Sequence, residues 1–195
     1  MRIFLFFLCF PLALCGDFNN DPRLKKIENY FNGIQTLKAS FSQINNHSSV
    51  LKGDFYIKKP GKMRADYGDT SPLLMISDGF WMTNYDKDLK QASHIPLSSS
   101  PAEMMLQETF SFESADVQNI ESSQGILKVT FTKRDTMEAG TITFVFTETP
   151  LELRKWVAID PQGNVIDVSL SSLEKNISLK DDLFVAPRNE SFSSN

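Results

Sequence analysis

Two histidines and two cysteines in 195 residues leave little material for the side-chain chemistry of most enzymes. Both cysteines, Cys9 and Cys15, fall within residues 1–15. If that stretch is removed, a cysteine nucleophile, a thiolate zinc site and any disulfide go with it. His47 sits among Asn45, Asn46, Ser48 and Ser49, and His94 lies between Ser93 and Ile95. Neither has a motif partner, so each reads as an ordinary side chain rather than a base. No G-x-S-x-G, H-E-x-x-H or G-x-x-x-x-G-K-[ST] occurs. The carboxylate pairs Asp86/Asp88 and Asp181/Asp182 read as solvated turns, although paired acids are also what glycoside hydrolysis uses. The expectation is a protein that is no enzyme, with no catalytic residue, no metal and no cofactor.

An excess of positive charge is also missing. Lys and Arg number 20 against 24 Asp and Glu, for a net charge of −4. Without residues 1–15 only Arg2 is lost, leaving 19 against 24 and a net charge of −5. Nucleic-acid binding draws on basic patches, so no nucleic acid is expected as a partner. No run is long enough to span a bilayer. The longest apolar stretch, residues 3–14, follows Arg2 and fits the core of a signal peptide. Ala13 and Cys15 stand at the minus-three and minus-one positions of a cut near 15/16, leaving one domain over residues 16–195. The alternative is a lipoprotein signal in which Cys15 is acylated, with the bulky Leu14 before it as the objection.

Turn and strand signals dominate the rest. Asp21-Pro22 opens a helix, carried by Leu24, Ile27, Phe31 and Ile34 at helical spacing and closed by Gly33. Leu37, Ala39, Phe41 and Gln43 alternate as a strand, and a polar loop at residues 45–49 leads into residues 50–59. There Phe55, Ile57 and Lys59 share one face, while Asp54, Tyr56 and Lys58 share the other. Lys59-Pro60-Gly61 turns into a strand with Met63 and Tyr67 on one face. The apolar run at residues 73–76 reaches Ser77-Asp78-Gly79, and the chain returns through Trp81 and Met82.

Further strands are expected at residues 91–95, 127–131, 142–146, 151–159 and 165–170. A second helix is expected over residues 102–108, capped by Ser100 with Pro101 at its first position. Residues 188–195 are polar and expected to fray. About ten strands, two short helices and no βαβ alternation predict a mainly β fold with helices on one face of an antiparallel sheet. Its greasy residues fit a packed core. They also fit a half-open barrel with an under-filled hydrophobic cavity and a methionine-bearing lid.

Seven segments in order and spacing carry a family resemblance. They are L-K-A-S-F-S-Q (37–43), G-x-F-x-I-K-K-P-G-K-M-R (53–64), S-D-G-F-W (77–81), Y-D-x-D-L-K-Q-x-S (85–93), P-L-S-S-S-P (96–101), P-L-E-L-R-K-W (150–156) and I-D-P-Q-G-N (159–164). The chain resembles the LolA-type outer-membrane lipoprotein carriers over residues 24–187. The resemblance implies an incomplete, unclosed antiparallel β-barrel whose concave face is covered by a helical lid. It implies a monomeric periplasmic chaperone of a Gram-negative cell. Its partners would be acylated lipoproteins, an inner-membrane ABC lipoprotein transporter and an outer-membrane lipoprotein receptor. On this reading Phe55, Ile57, Met63, Tyr67, Leu74, Ile76 and Met82 line the lipid-binding cavity. Met104, Met105 and Leu106 form the lid, and Lys59 latches it.

Two positions depart from the family's pattern. Lys59 stands where arginine is common, which implies fewer bonds to the lid and a looser latch. Ala65 stands where an aromatic is frequent, so a cavity-lining role is not assigned to it. Two other readings keep the fold: a membrane-anchored lipoprotein acceptor similar to LolB, lipidated at Cys15, and an envelope sensor or interaction module.

Overall fold

A computed structural model describes Phe18 and residues 20–45, 49–100, 102–134 and 140–187. The expected signal peptide over residues 1–15, which includes Cys15, together with His47, Pro101 and the C-terminal residues 188–195, lies outside the described residues. Helix α1 (Pro22–Asn32) begins where the Asp21 carboxylate accepts the Arg23 backbone N–H at 2.8 Å, and Gly33 closes it. Its buried stripe is Leu24, Ile27 and Phe31, as the helical spacing predicts.

Eleven strands then form one sheet among the described residues. They are β1 (Thr36–Asn45), β2 (Val50–Lys58), β3 (Lys62–Asp66), β4 (Leu73–Asp78), β5 (Trp81–Asp86), β6 (Gln91–Pro96), β7 (Ala115–Ser123), β8 (Ile126–Lys133), β9 (Thr141–Glu148), β10 (Leu151–Ile159) and β11 (Val165–Lys175). Every pairing is antiparallel, and the order is β6-β5-β4-β3-β2-β1-β11-β10-β9-β8-β7. The sheet is therefore a meander whose two halves join where β1 pairs with β11. Strands β6 and β7 remain as open edges. The sequence signals miss β7, because its apolar positions are few and a bulge between Val117 and Asn119 breaks their alternation.

Curling follows from one aromatic contact. Phe55 on β2 and Trp156 on β10 are three strand spacings apart, roughly 14 Å along a flat sheet. Their ring centroids lie 5.4 Å apart, so the sheet folds over to bring them together. Gly53 allows a close approach of β3 to β2: a Cβ there would meet the Asp66 carbonyl oxygen at 1.9 Å and the Phe41 ring at 2.9 Å.

The link from β6 to β7, residues 97–114, closes over the concave side. Within it α2 (Glu103–Leu106) is shorter than the predicted helix, because Gln107 leaves helical geometry with ψ 150. The C-terminal residues 177–187 run across the convex side as a strap. Lys58 and Lys62 reach Asp181 at 3.0 and 2.7 Å, and Phe184 is buried. Under the strap lies a second, smaller apolar cluster of Leu74, Ile76 and Tyr85, with Ala186 against it.

Candidate functional site

The concave interior is filled on one side and hollow on the other. Beneath α1 and the 107–112 segment the C-terminal strands contribute Phe131, Phe144 and Phe146, which meet Phe31, Phe110 and Phe112 ring to ring at 5.2–6.2 Å. Stiff rings at that spacing leave no gap. Toward the N-terminal strands the wall changes to methionine. Met63, Met75, Met82 and Met105 line a cavity of about 330 Å³. They are joined by Phe55, Ala65, Tyr67, Leu73, Trp156 and Val168. Of the five described methionines, only Met104 is not part of this lining. Unbranched thioether side chains repack around differing shapes more easily than phenyl rings do. The volume falls at the lower end of the range typical of small-molecule pockets, about 300–1,000 Å³.

Strand register explains which residues face inward. Phe55 pairs with Ala65, and Ala65 with Met75, so those three share the concave face. Leu74 pairs with Asp66 and Ile76 with Arg64, both on the opposite face. The expectation that Leu74 and Ile76 line the cavity is therefore corrected: Leu73 and Met75 line it. The run is apolar on both faces because the strap covers the outer one. Ala65 also lines the cavity, contrary to its exclusion from the sequence reading. Ile57 faces inward but lines a separate small pocket under α1, beside Ile34 and Lys59, and not the main cavity. Phe55, Met63, Tyr67 and Met82 are all in the main lining.

Few polar groups reach this wall, and the innermost are already engaged. The Tyr67 hydroxyl donates to the Gln43 side-chain carbonyl at 2.7 Å. Burial pushes the Tyr67 phenol up to about 12, so it stays neutral. Among the described residues no group of three or more His, Cys, Asp or Glu could hold a metal. A larger, open hollow of about 1000 Å³ on the convex side is lined by Ser40, Ser42, Asp54, Arg64, Ser169 and Ser171 together with Phe41, Leu170 and Leu183, a mixed surface with charged groups where the main cavity is almost wholly apolar.

The roof is tied down by a small number of polar contacts. Asn32, the last residue of α1, donates to the Phe110 carbonyl at 3.0 Å and accepts the Phe110 N–H at 2.7 Å. Glu28 accepts the Phe112 N–H at 3.0 Å. On the β2–β3 turn, Gly61 N–H donates to the Leu106 carbonyl at 2.7 Å. Lys133 on β8 bonds the Glu103 carboxylate and, at 2.9 Å, the Ser98 carbonyl. Lys59 donates to the Phe31 carbonyl at 2.9 Å. It thus holds α1, while Met104, Met105 and Leu106 are held by their own burial and by Gly61. The Lys59 side chain is buried without a counter-charge, and that burial pulls its amine down to about 8.

Residues 32–187 match the family model described as outer membrane lipoprotein carrier protein LolA. An uncharacterized protein of Rickettsia prowazekii is 26% identical over 98% of this chain and 89% of its own. An outer-membrane lipoprotein carrier protein of Nitrosomonas europaea is 26% identical over 83% of this chain and 82% of its own. A crystal structure of a LolA superfamily protein from the same organism aligns at TM-score 0.47 and 10% identity, over 84% of this chain and 97% of that one.

Proposed function

The chain belongs to the LolA family of outer membrane lipoprotein carrier proteins, and on that footing we propose that it binds the acyl chains of lipoproteins and carries them through the periplasm. It would take them from an inner-membrane ABC transporter and hand them to an outer-membrane receptor. The observation that carries this reading is the methionine-lined cavity of about 330 Å³ beneath a roof held by a few polar bonds. Each methylene covered by such a wall gains about 0.8 kcal/mol, so a long acyl chain gains roughly 10 kcal/mol when fully shielded. That is enough to hold a lipid away from water, and a carrier must also give it up.

The wall answers both needs. Methionine adapts to cargo without locking around it, and the roof competes with the cargo for the same apolar surface. Met105 belongs to both, packing in the roof and lining the hollow. Entry of an acyl chain therefore displaces roof contacts, and departure restores them. The site residues proposed for cargo are Phe55, Met63, Tyr67, Met75 and Met82, with Met105 at the roof.

The test is lipoprotein release. Protein lacking residues 1–15 is added to spheroplasts of a Gram-negative cell, and newly made lipoproteins are sought in the supernatant. Their appearance in complex with the protein supports the carrier reading. Their absence with a folded protein sinks it.

A further inference from the structure

Lys59 is the only charged residue in the buried class among the described residues, with 9% of its surface exposed. One of its three ammonium N–H groups is used by the Phe31 carbonyl. The charges on the surrounding elements are committed elsewhere. Glu28 on α1 bonds Phe112 and Lys25, and Glu103 on α2 bonds Lys133. Lys58 and Lys62 on the flanking strands point to Asp181 across the sheet. A buried cation with no anion is costly, and it persists only where something offsets the cost.

Its position shows what could do so. Lys59 lines a small separate pocket of about 20 Å³ between α1 and β2, divided from the main cavity by a shared wall of Phe55, Met105 and Trp156. As it stands the small pocket has room for about one water-sized group, such as one oxygen of a head group. A carboxylate fits that size far better than a phospholipid head. An apolar hollow with one buried cation behind a wall that includes the flexible Met105 side chain is the complement of a single-chain acid.

We propose that the two hollows together bind free fatty acids, the Met105 side chain moving aside so that the Lys59 ammonium holds the carboxylate and the alkyl chain lies along Met63, Met75 and Met82. The proposal rests on the carrier reading of the cavity and adds a head-group preference to it. A charge-assisted bond in a site shielded from water discriminates strongly between an ionised head and a neutral one of the same chain length.

Calorimetric titration of the purified protein with decanoate and decanol tests it. At neutral pH decanoate should bind at least roughly tenfold more tightly than decanol. The preference should vanish in Lys59→Met. In the unchanged protein it should fade as pH rises past the amine's value of about 8, while the fatty acid stays ionised. The pH arm needs no variant, so a misfolded Lys59→Met leaves the test intact. Equal binding of the two amphiphiles, or a preference that survives Lys59→Met, overturns the proposal and leaves the apolar cavity standing. Binding of neither overturns the carrier reading as well.

Discussion

Met75 and Ile76 are neighbours in the chain that serve opposite sides of one strand. Met75 lines the hollow, and Ile76, 1% exposed, packs beneath the C-terminal strap. The two positions should therefore fail differently when changed. Ile76→Ala leaves a void in a filled cluster and should cost about 2–4 kcal/mol of stability without weakening the binding of an apolar dye. Met75→Glu puts a charge on the wall of an existing hollow and should weaken dye binding by tenfold or more with a smaller stability loss. Denaturant melts and dye titrations of both variants check this. A large stability loss for Met75→Glu with dye affinity unchanged would reverse the assignment of faces.

The Lys59 amine sets a pH dependence of stability. The unfolded chain keeps the proton up to the ordinary 10.5, whereas the folded chain releases it near 8. Between those values the unfolded state binds more protons, so stability rises with pH across that window. Below about 8 the fold bears the full cost of the buried charge. Lys59→Met should accordingly raise the melting temperature by a few degrees at neutral pH and by less at pH values near 10. The Phe31 carbonyl keeps a partner in that variant, since Ile34 N–H also reaches it at 3.2 Å. A lower melting temperature at neutral pH would contradict the account.

At the acid end the relevant group is Asp66. Burial opposes its charge, but bonds from Lys87, Arg64 and the Gly68 N–H outweigh that and bring it down to about 2. Its contribution is complete above the unfolded value of 3.8 and is lost as pH falls from there to about 2. Asp66→Asn should lower stability at neutral pH and flatten the acid limb over that window. An acid limb as steep as that of the unchanged protein would rule this group out.

Asn32 joins α1 to the roof through two bonds on Phe110, and both Phe110 groups would lose their partner in Asn32→Ala. The expected cost is about 1–3 kcal/mol. Because these bonds hold the roof, amide exchange should quicken over residues 103–112 more than in β8 and β9. Uniform acceleration throughout the sheet would mean that Asn32 supports global stability and not roof closure specifically.

Much of this architecture was legible in residue order. Alternation marks Phe55 and Ile57, Pro-Gly and Asp-Gly mark turns, and Asp21-Pro22 marks α1. Two features were hidden for physical reasons. In β4 every residue from Leu73 to Ile76 is apolar, because one face meets the cavity and the other meets the strap. Only the pairing of Ala65 with Met75 resolves the faces. In β7 the edge position removes the need for apolar residues on both sides, so Ala115–Ser123 reads as a polar stretch. The strap was also silent, since Phe184 and Ala186 make no periodic pattern. Lys59 was legible as an inward-facing residue, but its bond to α1 depends on a contact 28 positions away.

The central claim is that the methionine-lined hollow holds lipoprotein acyl chains. The most direct measurement is the spheroplast release experiment run with the unchanged protein, Met75→Glu and Ile76→Ala, each first shown to be folded. The account predicts release of lipoproteins by the unchanged protein and by Ile76→Ala, and none by Met75→Glu. Release that is undiminished in Met75→Glu, or absent from the unchanged protein, would contradict it.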